Sequence, residues 1–355
     1  MRNSNMDLLR LISMIMVTML HALTKSELLP FMGDALSANG LLAWTLEAMS
    51  VSAVNIYMLI SGYFLINSKF KVGRLAEIIL QTFFYSAGVT LFFGVMGAFD
   101  LTNMSIYQLL PYVFPIQMET YWFISAYVIL YLMLPLLSSG IHGMSEKQLN
   151  MVIWGLLILE CGIKSISPVR FTLDHKGYSF LWYLTMFLVG AKIRLYGLKF
   201  IKSARRGWTL YFISTVLILT EIFVLSRIQV KTGHLKEIAT VSLEYNHIFV
   251  FLSAVGIFSA FLYAKPLENK FGKAVSMLSP YCLGVYLLQE SLVMRYSWQE
   301  WLGLKGLLDK TTLRFFFRIC GAVFVMLAAG ICVDAVRTAL FRICARCMTR
   351  GDKRE

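Results

Sequence analysis

Three ionisable residues stand inside the first apolar run of the chain, MDLLRLISMIMVTMLHA: Asp7, Arg10 and His21. A carboxylate and a guanidinium three residues apart can pair, and an imidazole can take up or release a proton near neutral pH. On an α-helix the eleven steps from Arg10 to His21 return to within about 20° of the start, and the fourteen from Asp7 to within about 40°. All three therefore share one face, with Arg10 and His21 about 16 Å apart along the axis. Ionisable groups inside a membrane span are costly, and by default they mark a site facing a cavity or the bundle interior. The plainer alternative is an ion pair at the headgroups of one surface and an interfacial histidine at the other.

Later stretches add candidates. In AVNIYMLISGYFLINSKFKVGR, Asn55 falls near mid-membrane, and Ser61-Gly62 opens a small notch that another helix or a ligand can enter. Lys69, Lys71 and Arg74 follow, suited to phosphate as point charges or a bidentate fork. In TYWFISAYVILYLMLPLL, Trp122, Tyr127 and Tyr131 fit either an interfacial belt or an aromatic core, and Pro135 loosens the backbone hydrogen bonding near the end of the span. LSPYCLGVYLLQE brings Gln289 and Glu290 to the end of a later span, on the side of the membrane expected for His21.

The elements that must position these residues are membrane helices. The 355 residues are 58% hydrophobic and only 15% charged, with mean hydropathy +0.67, where a soluble domain carries about 25% charged residues. Ten apolar runs, near 6–24, 41–66, 76–98, 120–138, 150–166, 179–195, 207–226, 245–264, 277–294 and 313–335, predict an all-α polytopic bundle. Hydrocarbon tolerates no open sheet edge, so each must be a helix. The first run lacks a small-residue cleavage site, and Asp7 interrupts what would be a charged leader, so it reads as a span and not a signal peptide. One transmembrane domain over 1–340 and a basic tail over 341–355 are expected.

Orientation follows from Lys and Arg. About 21 of the 33 fall on one side if the N-terminus is cytoplasmic, and the loop at 99–119 has none. Both termini are therefore predicted inside, with Arg10 near the cytoplasm and His21 in the outer half. The net charge of +13 is then the positive-inside excess and no sign of nucleic-acid binding. Four of six cysteines sit in apolar spans, and Cys344-x-x-Cys347 has no second pair, so no metal site is expected.

RNSNMDLLRLISMIMVTMLH resembles the opening of the membrane acyltransferase 3 family: a basic residue, Asp-x-x-Arg, then His eleven residues on. IYMLISGYFL with the basic follow-up ending in Arg74, YWFISAYVILYLMLPLL, FLVGAKI and LSPYCLGVYLLQ are similar to four further family segments, in order, over about residues 1–293. The resemblance implies transfer of an acyl group, usually acetyl, from cytoplasmic acyl-CoA to a hydroxyl of a cell-envelope or exopolysaccharide glycan, in the cytoplasmic membrane of a bacterium. It makes acetyl-CoA a donor substrate and leaves no permanently bound cofactor. The partners it implies are a glycan or lipid-linked saccharide acceptor and the bilayer.

On that reading Arg10, Arg74, Lys69 and Lys71 hold the donor phosphates, and Asp7 orients Arg10. His21 serves as general base or as transient acyl carrier, and Asn55, Ser61, Trp122, Gln289 and Glu290 contact substrate. Two departures stand out. Gln289 replaces the histidine many members carry there, and the chain stops soon after the tenth span, so acyl delivery is expected to be direct or through a partner. A glycan exporter using the same charged stripe is the alternative, disfavoured because no internal repeat and no matching pair of broken helices is found. Acceptor contacts belong to the outer loops, with Asp174 and His175 as candidates.

Overall fold

The computed structural model describes residues 3–33, 36–99, 103–166, 175–234 and 238–351, and every regular element among them is helical. In chain order the principal helices are α1 (Ser4–Lys25), α2 (Ala38–Leu65), α3 (Val72–Val95), α4 (Trp122–Leu132 with Leu134–Gly143), α5 (Glu146–Ile166), α6 (Phe180–Tyr196), α7 (Ala204–Thr232), α8 (Val241–Leu262), α9 (Lys270–Gln289) and α10 (Thr312–Gly351). Eight are long and apolar enough to cross a bilayer, and α4 makes nine if its two limbs form one span. The expected tenth is α6. At 17 residues it is about 26 Å long, slightly short of a hydrocarbon core of about 30 Å. The limbs of α4 meet at 59°. Pro135 begins the second limb, and its missing N–H leaves the Tyr131 carbonyl without its helical donor.

α1 starts cleanly because Asn3 caps it, accepting from the N–H groups of Asn5 and Met6. It lies in the middle of the bundle, against α2, α8, α9 and α10. In their most apolar windows α1, α2 and α8 are 72% buried but α5, α7 and α10 only 33%, which separates an inner group from a lipid-facing one. The outer helices present Leu91, Val95, Val216 and Phe317 to the surroundings, as a bilayer requires. Asn5 ties the start of α1 to the end of α8, its amide donating to the carbonyls of Phe261, Ala264 and Lys265 at 3.0–3.4 Å.

The notch at Ser61-Gly62 is filled by a helix. A Cβ on Gly62 would fall 2.1 Å from the Phe187 carbonyl oxygen, and one on Gly190 would fall 2.4 Å from that of Leu59. α2 and α6 thus cross backbone to backbone, the close approach that small residues allow. Backbone cannot swing aside as a side chain can, so Gly62→Ala is expected to cost about 1–3 kcal/mol. Heating the detergent-solubilised variant and measuring the monodisperse fraction by size exclusion checks this, and a midpoint equal to wild type would contradict the crossing.

Candidate active site

The charged stripe of α1 faces protein along its length. At one end of the bundle the Asp7 carboxylate is fully buried and accepts from Arg10 Nη1 at 2.7 Å, Ser276 Oγ at 2.9 Å and Ser279 Oγ at 3.0 Å, the two serines coming from α9. Arg10 keeps 30% of its side chain exposed and lies 5.1 Å over the ring of Phe64. Tyr57 donates its hydroxyl to the Arg10 carbonyl at 2.6 Å. An ion pair with one sealed partner and one accessible partner can still offer its guanidinium to an anion.

His21 stands at the other end. Its Nδ1 is 3.3 Å from Glu290 Oε1, within ion-pair distance although not aligned as a hydrogen bond. Glu290 also contacts Lys25 Nζ and lies 3.2 Å from Arg295 Nε, so three basic side chains converge on one carboxylate. Arg295 is itself fixed by donating to the carbonyls of Thr120 and Glu290. α9 ends at Gln289, which turns Glu290 toward α1. Gln289 is fully buried with its amide nitrogen 3.8 Å from Met14 Sδ.

A cavity of about 740 Å³ runs from His21 toward the arginine end, where Arg74 lines it and Arg10 does not. His21, Lys25, Glu47, Trp122, Tyr178, Tyr245 and Glu290 line it at the histidine end, Tyr57, Phe123 and Tyr286 along the middle, and Ser61, Tyr127 and Arg74 at the arginine end. The volume is that of a small-molecule or cofactor site, and the walls are largely aromatic with a few polar groups, the usual make-up of such sites. Arg74 is exposed, its Nη2 3.4 Å from the Tyr127 hydroxyl and its guanidinium 5.8 Å over Tyr131. Ser61 donates to the Tyr57 carbonyl at 2.9 Å and sits 3.2 Å from the Tyr183 hydroxyl.

Other candidates fall elsewhere. Lys69 and Lys71 are exposed and outside the cavity lining, next in sequence to the arginine end. Asn55 is sealed: its amide donates to the Tyr245 carbonyl at 2.7 Å, and its oxygen accepts from Trp182 Nε1 at 2.9 Å. It acts on the cavity wall through Tyr245. His175 is exposed, and Asp174 lies outside the described residues.

Several lining residues were not singled out by their sequence. His175 (φ +42°), Lys176 (φ +62°) and Gly177 (φ +82°) form a left-handed turn, in which Lys176 accepts from the Tyr245 N–H at 3.1 Å. A Cβ on Gly177 would strike Tyr245 Cβ at 2.7 Å, so glycine is required there. Strain of this kind persists only where the surroundings enforce it, and it clusters at functional sites. The turn brings Tyr178 to within 4.5 Å of Tyr245 and 4.8 Å of Trp122, ring centre to ring centre, with Trp122 stacked on Tyr245 at 6.1 Å. Tyr178 itself is 48% exposed, so the trio is open on its side to the surroundings. At the other end Arg194 donates to the Tyr63 hydroxyl at 3.2 Å, and Tyr63 packs edge-on against Phe64 beneath Arg10.

Comparison with protein families matches residues 3–334, nearly the whole chain, to the acyltransferase 3 family, described as an acyltransferase domain. Neither the curated proteins nor the solved structures compared with the chain gave a match.

Proposed function

The chain belongs to the acyltransferase 3 family of membrane acyltransferases, and from that premise we propose that it carries an acetyl group from acyl-CoA at the arginine end to a glycan hydroxyl at the histidine end. The observation that supports this best is the single cavity with Arg74 at one end and the His21–Glu290 pair at the other. The donor is polyanionic. Arg10 and Arg74 offer it guanidinium forks, and Lys69 and Lys71 add point charges outside. The eleven residues from Arg10 to His21 span about 16 Å, a gap the thin pantetheine arm reaches across while the aromatic walls exclude water.

With Nδ1 turned toward Glu290, Nε2 is the nitrogen left for substrate. It takes the proton from the acceptor hydroxyl as the oxygen attacks the thioester carbonyl. The carbon–sulfur bond breaks, the new ester forms, and the proton passes to the departing CoA thiolate. Glu290 holds the ring and faces the imidazolium, while Lys25 and Arg295 offset much of its charge. Its part is therefore orientation more than added basicity. On this reading the lysine and arginine excess favours a cytoplasmic arginine end and an outer histidine end.

Proteoliposomes given radiolabelled acetyl-CoA on one side and envelope glycan on the other test the reading. Label is expected on the glycan only when acetyl-CoA has access to the arginine end. Glycan that crosses without gaining label would overturn acyl transfer in favour of export.

A further inference from the structure

We propose that Trp122, Tyr178 and Tyr245 form a rigid platform that selects the acceptor: a hexopyranose lies on it by one C–H face, and an open-chain polyol does not. The proposal rests on the reading of the histidine end as the acceptor side. The three rings come from the start of α4, the turn ahead of α6 and the start of α8, and all line the cavity at the end that holds His21. The main chain fixes them. The Tyr245 N–H donates to the Lys176 carbonyl at 3.1 Å and the Tyr245 carbonyl accepts from the Asn55 amide at 2.7 Å, so both of its main-chain polar groups are tied. The Tyr178 N–H closes the left-handed turn on the His175 carbonyl at 3.0 Å. A surface ordered before binding gives up little further freedom when a ligand arrives.

What the platform takes follows from its shape and its margin. Tyr178 lies 4.5 Å from Tyr245 and 4.8 Å from Trp122, ring centre to ring centre. Rings that touch one another leave no box between them, which sets aside a quaternary-ammonium cage and leaves outward faces. Tyr178 is half-exposed, so its face is within reach of a ligand. The margin is polar: Thr24, Lys25, Lys176, Thr240 and Glu290 line the same cavity. An acyl chain would bring only methylenes to those groups. A pyranose has both surfaces, axial C–H bonds on its faces for the rings and hydroxyls around its edge for the polar margin. A linear polyol has the hydroxyls without a flat apolar face, and holding it in one shape costs conformational entropy.

The test is saturation-transfer NMR on the full-length protein in nanodiscs free of sugar detergent, without acetyl-CoA, with methyl β-glucopyranoside and ribitol as probes. In the glucoside the hydrogens on carbons one, three and five share one face, and those on carbons two and four share the other. Transfer to one set is expected to exceed transfer to the other by about twofold or more, with ribitol at the level of empty nanodiscs. Tyr178→Ala is expected to cut transfer to the glucoside by about fivefold, and Tyr178→Phe, which keeps the ring face, to retain it within about twofold. Equal transfer to the two faces, ribitol matching the glucoside, no transfer to the glucoside, a Tyr178→Ala signal equal to wild type, or loss of signal in Tyr178→Phe would overturn the proposal. Should Tyr178→Ala fail to fold, the wild-type face ratio and the ribitol comparison decide. Because binding is read without donor, a failure of acetyl transfer counts against the proposed reaction and leaves this measurement intact.

Discussion

His21→Ala is expected to lower glycan acylation by about 10²–10⁴-fold, the usual contribution of a positioned general base, while the protein still inserts and remains monodisperse. The second half of that statement follows from the surroundings. Removing the imidazole strands no charge, because Glu290 keeps Lys25 and Arg295 as partners. The deletion therefore removes the base without opening the buried-charge penalty that usually confounds such variants. Rates in membrane vesicles with labelled acetyl-CoA, set beside expression and size-exclusion profiles, check it. Activity within twofold of wild type would take His21 out of the mechanism. The same vesicles separate the two roles left open by the sequence. A general base leaves no label on the protein, whereas an acyl carrier yields acid-quenched protein bearing labelled acetyl on His21.

The stripe on α1 was legible because helical periodicity is rigid: three residues eleven and three steps apart can only share a face. The approach of Glu290 to His21 was open to sequence reasoning as a possibility, since both were placed near one membrane surface. Its distance depends on how α9 packs on α1, and no single-chain pattern encodes that. Glu47 is a different failure. An acid within LLAWTLEAMSV is the same signal as Asp7, and the intramembrane-charge argument, applied evenly, would have found it. Tyr178 and Tyr245 gave no such signal, because aromatics are common in membrane spans and only the left-handed turn at 175–177 brings them together.

Sequence also cannot tell a spent charge from an available one. Asp334 and Arg337 repeat the three-residue spacing of Asp7 and Arg10 inside an apolar span. There the carboxylate accepts from Arg337, Gln81 and Tyr85, and Arg337 is only 6% exposed. That pair pins α10 to α3 and is closed to any ligand. Arg10, at 30%, is not. The same spacing thus serves as a clamp in one helix and leaves a partly exposed guanidinium in the other, the one proposed here to meet the donor phosphates. Asn55 belongs with the clamps, its amide filled at both ends.

That distinction sets the second large effect. Arg74→Ala is expected to raise the acetyl-CoA KM by about tenfold with kcat nearly unchanged, the loss of one charge-assisted phosphate contact of about 1.5 kcal/mol or more. Arg74 is exposed and its only side-chain hydrogen bond among the described residues is the 3.4 Å contact with Tyr127, so its removal leaves the fold alone. Arg10→Ala is expected to raise KM by at least as much, and to lower thermal stability as well, because the sealed Asp7 carboxylate loses its guanidinium partner while the neutral hydroxyls of Ser276 and Ser279 still donate to it. The pair of variants separates binding from scaffolding. A stability loss in Arg10→Ala that Asp7→Asn relieves, with KM still high in the double variant, assigns the guanidinium to the donor and the carboxylate to the guanidinium. Steady-state kinetics over an acetyl-CoA range read both constants. A fall in kcat alone for Arg74→Ala, with KM at its wild-type value, would mean that the arginine end of the cavity does not take the donor phosphates, and the direction of acyl flow along α1 would have to be drawn the other way.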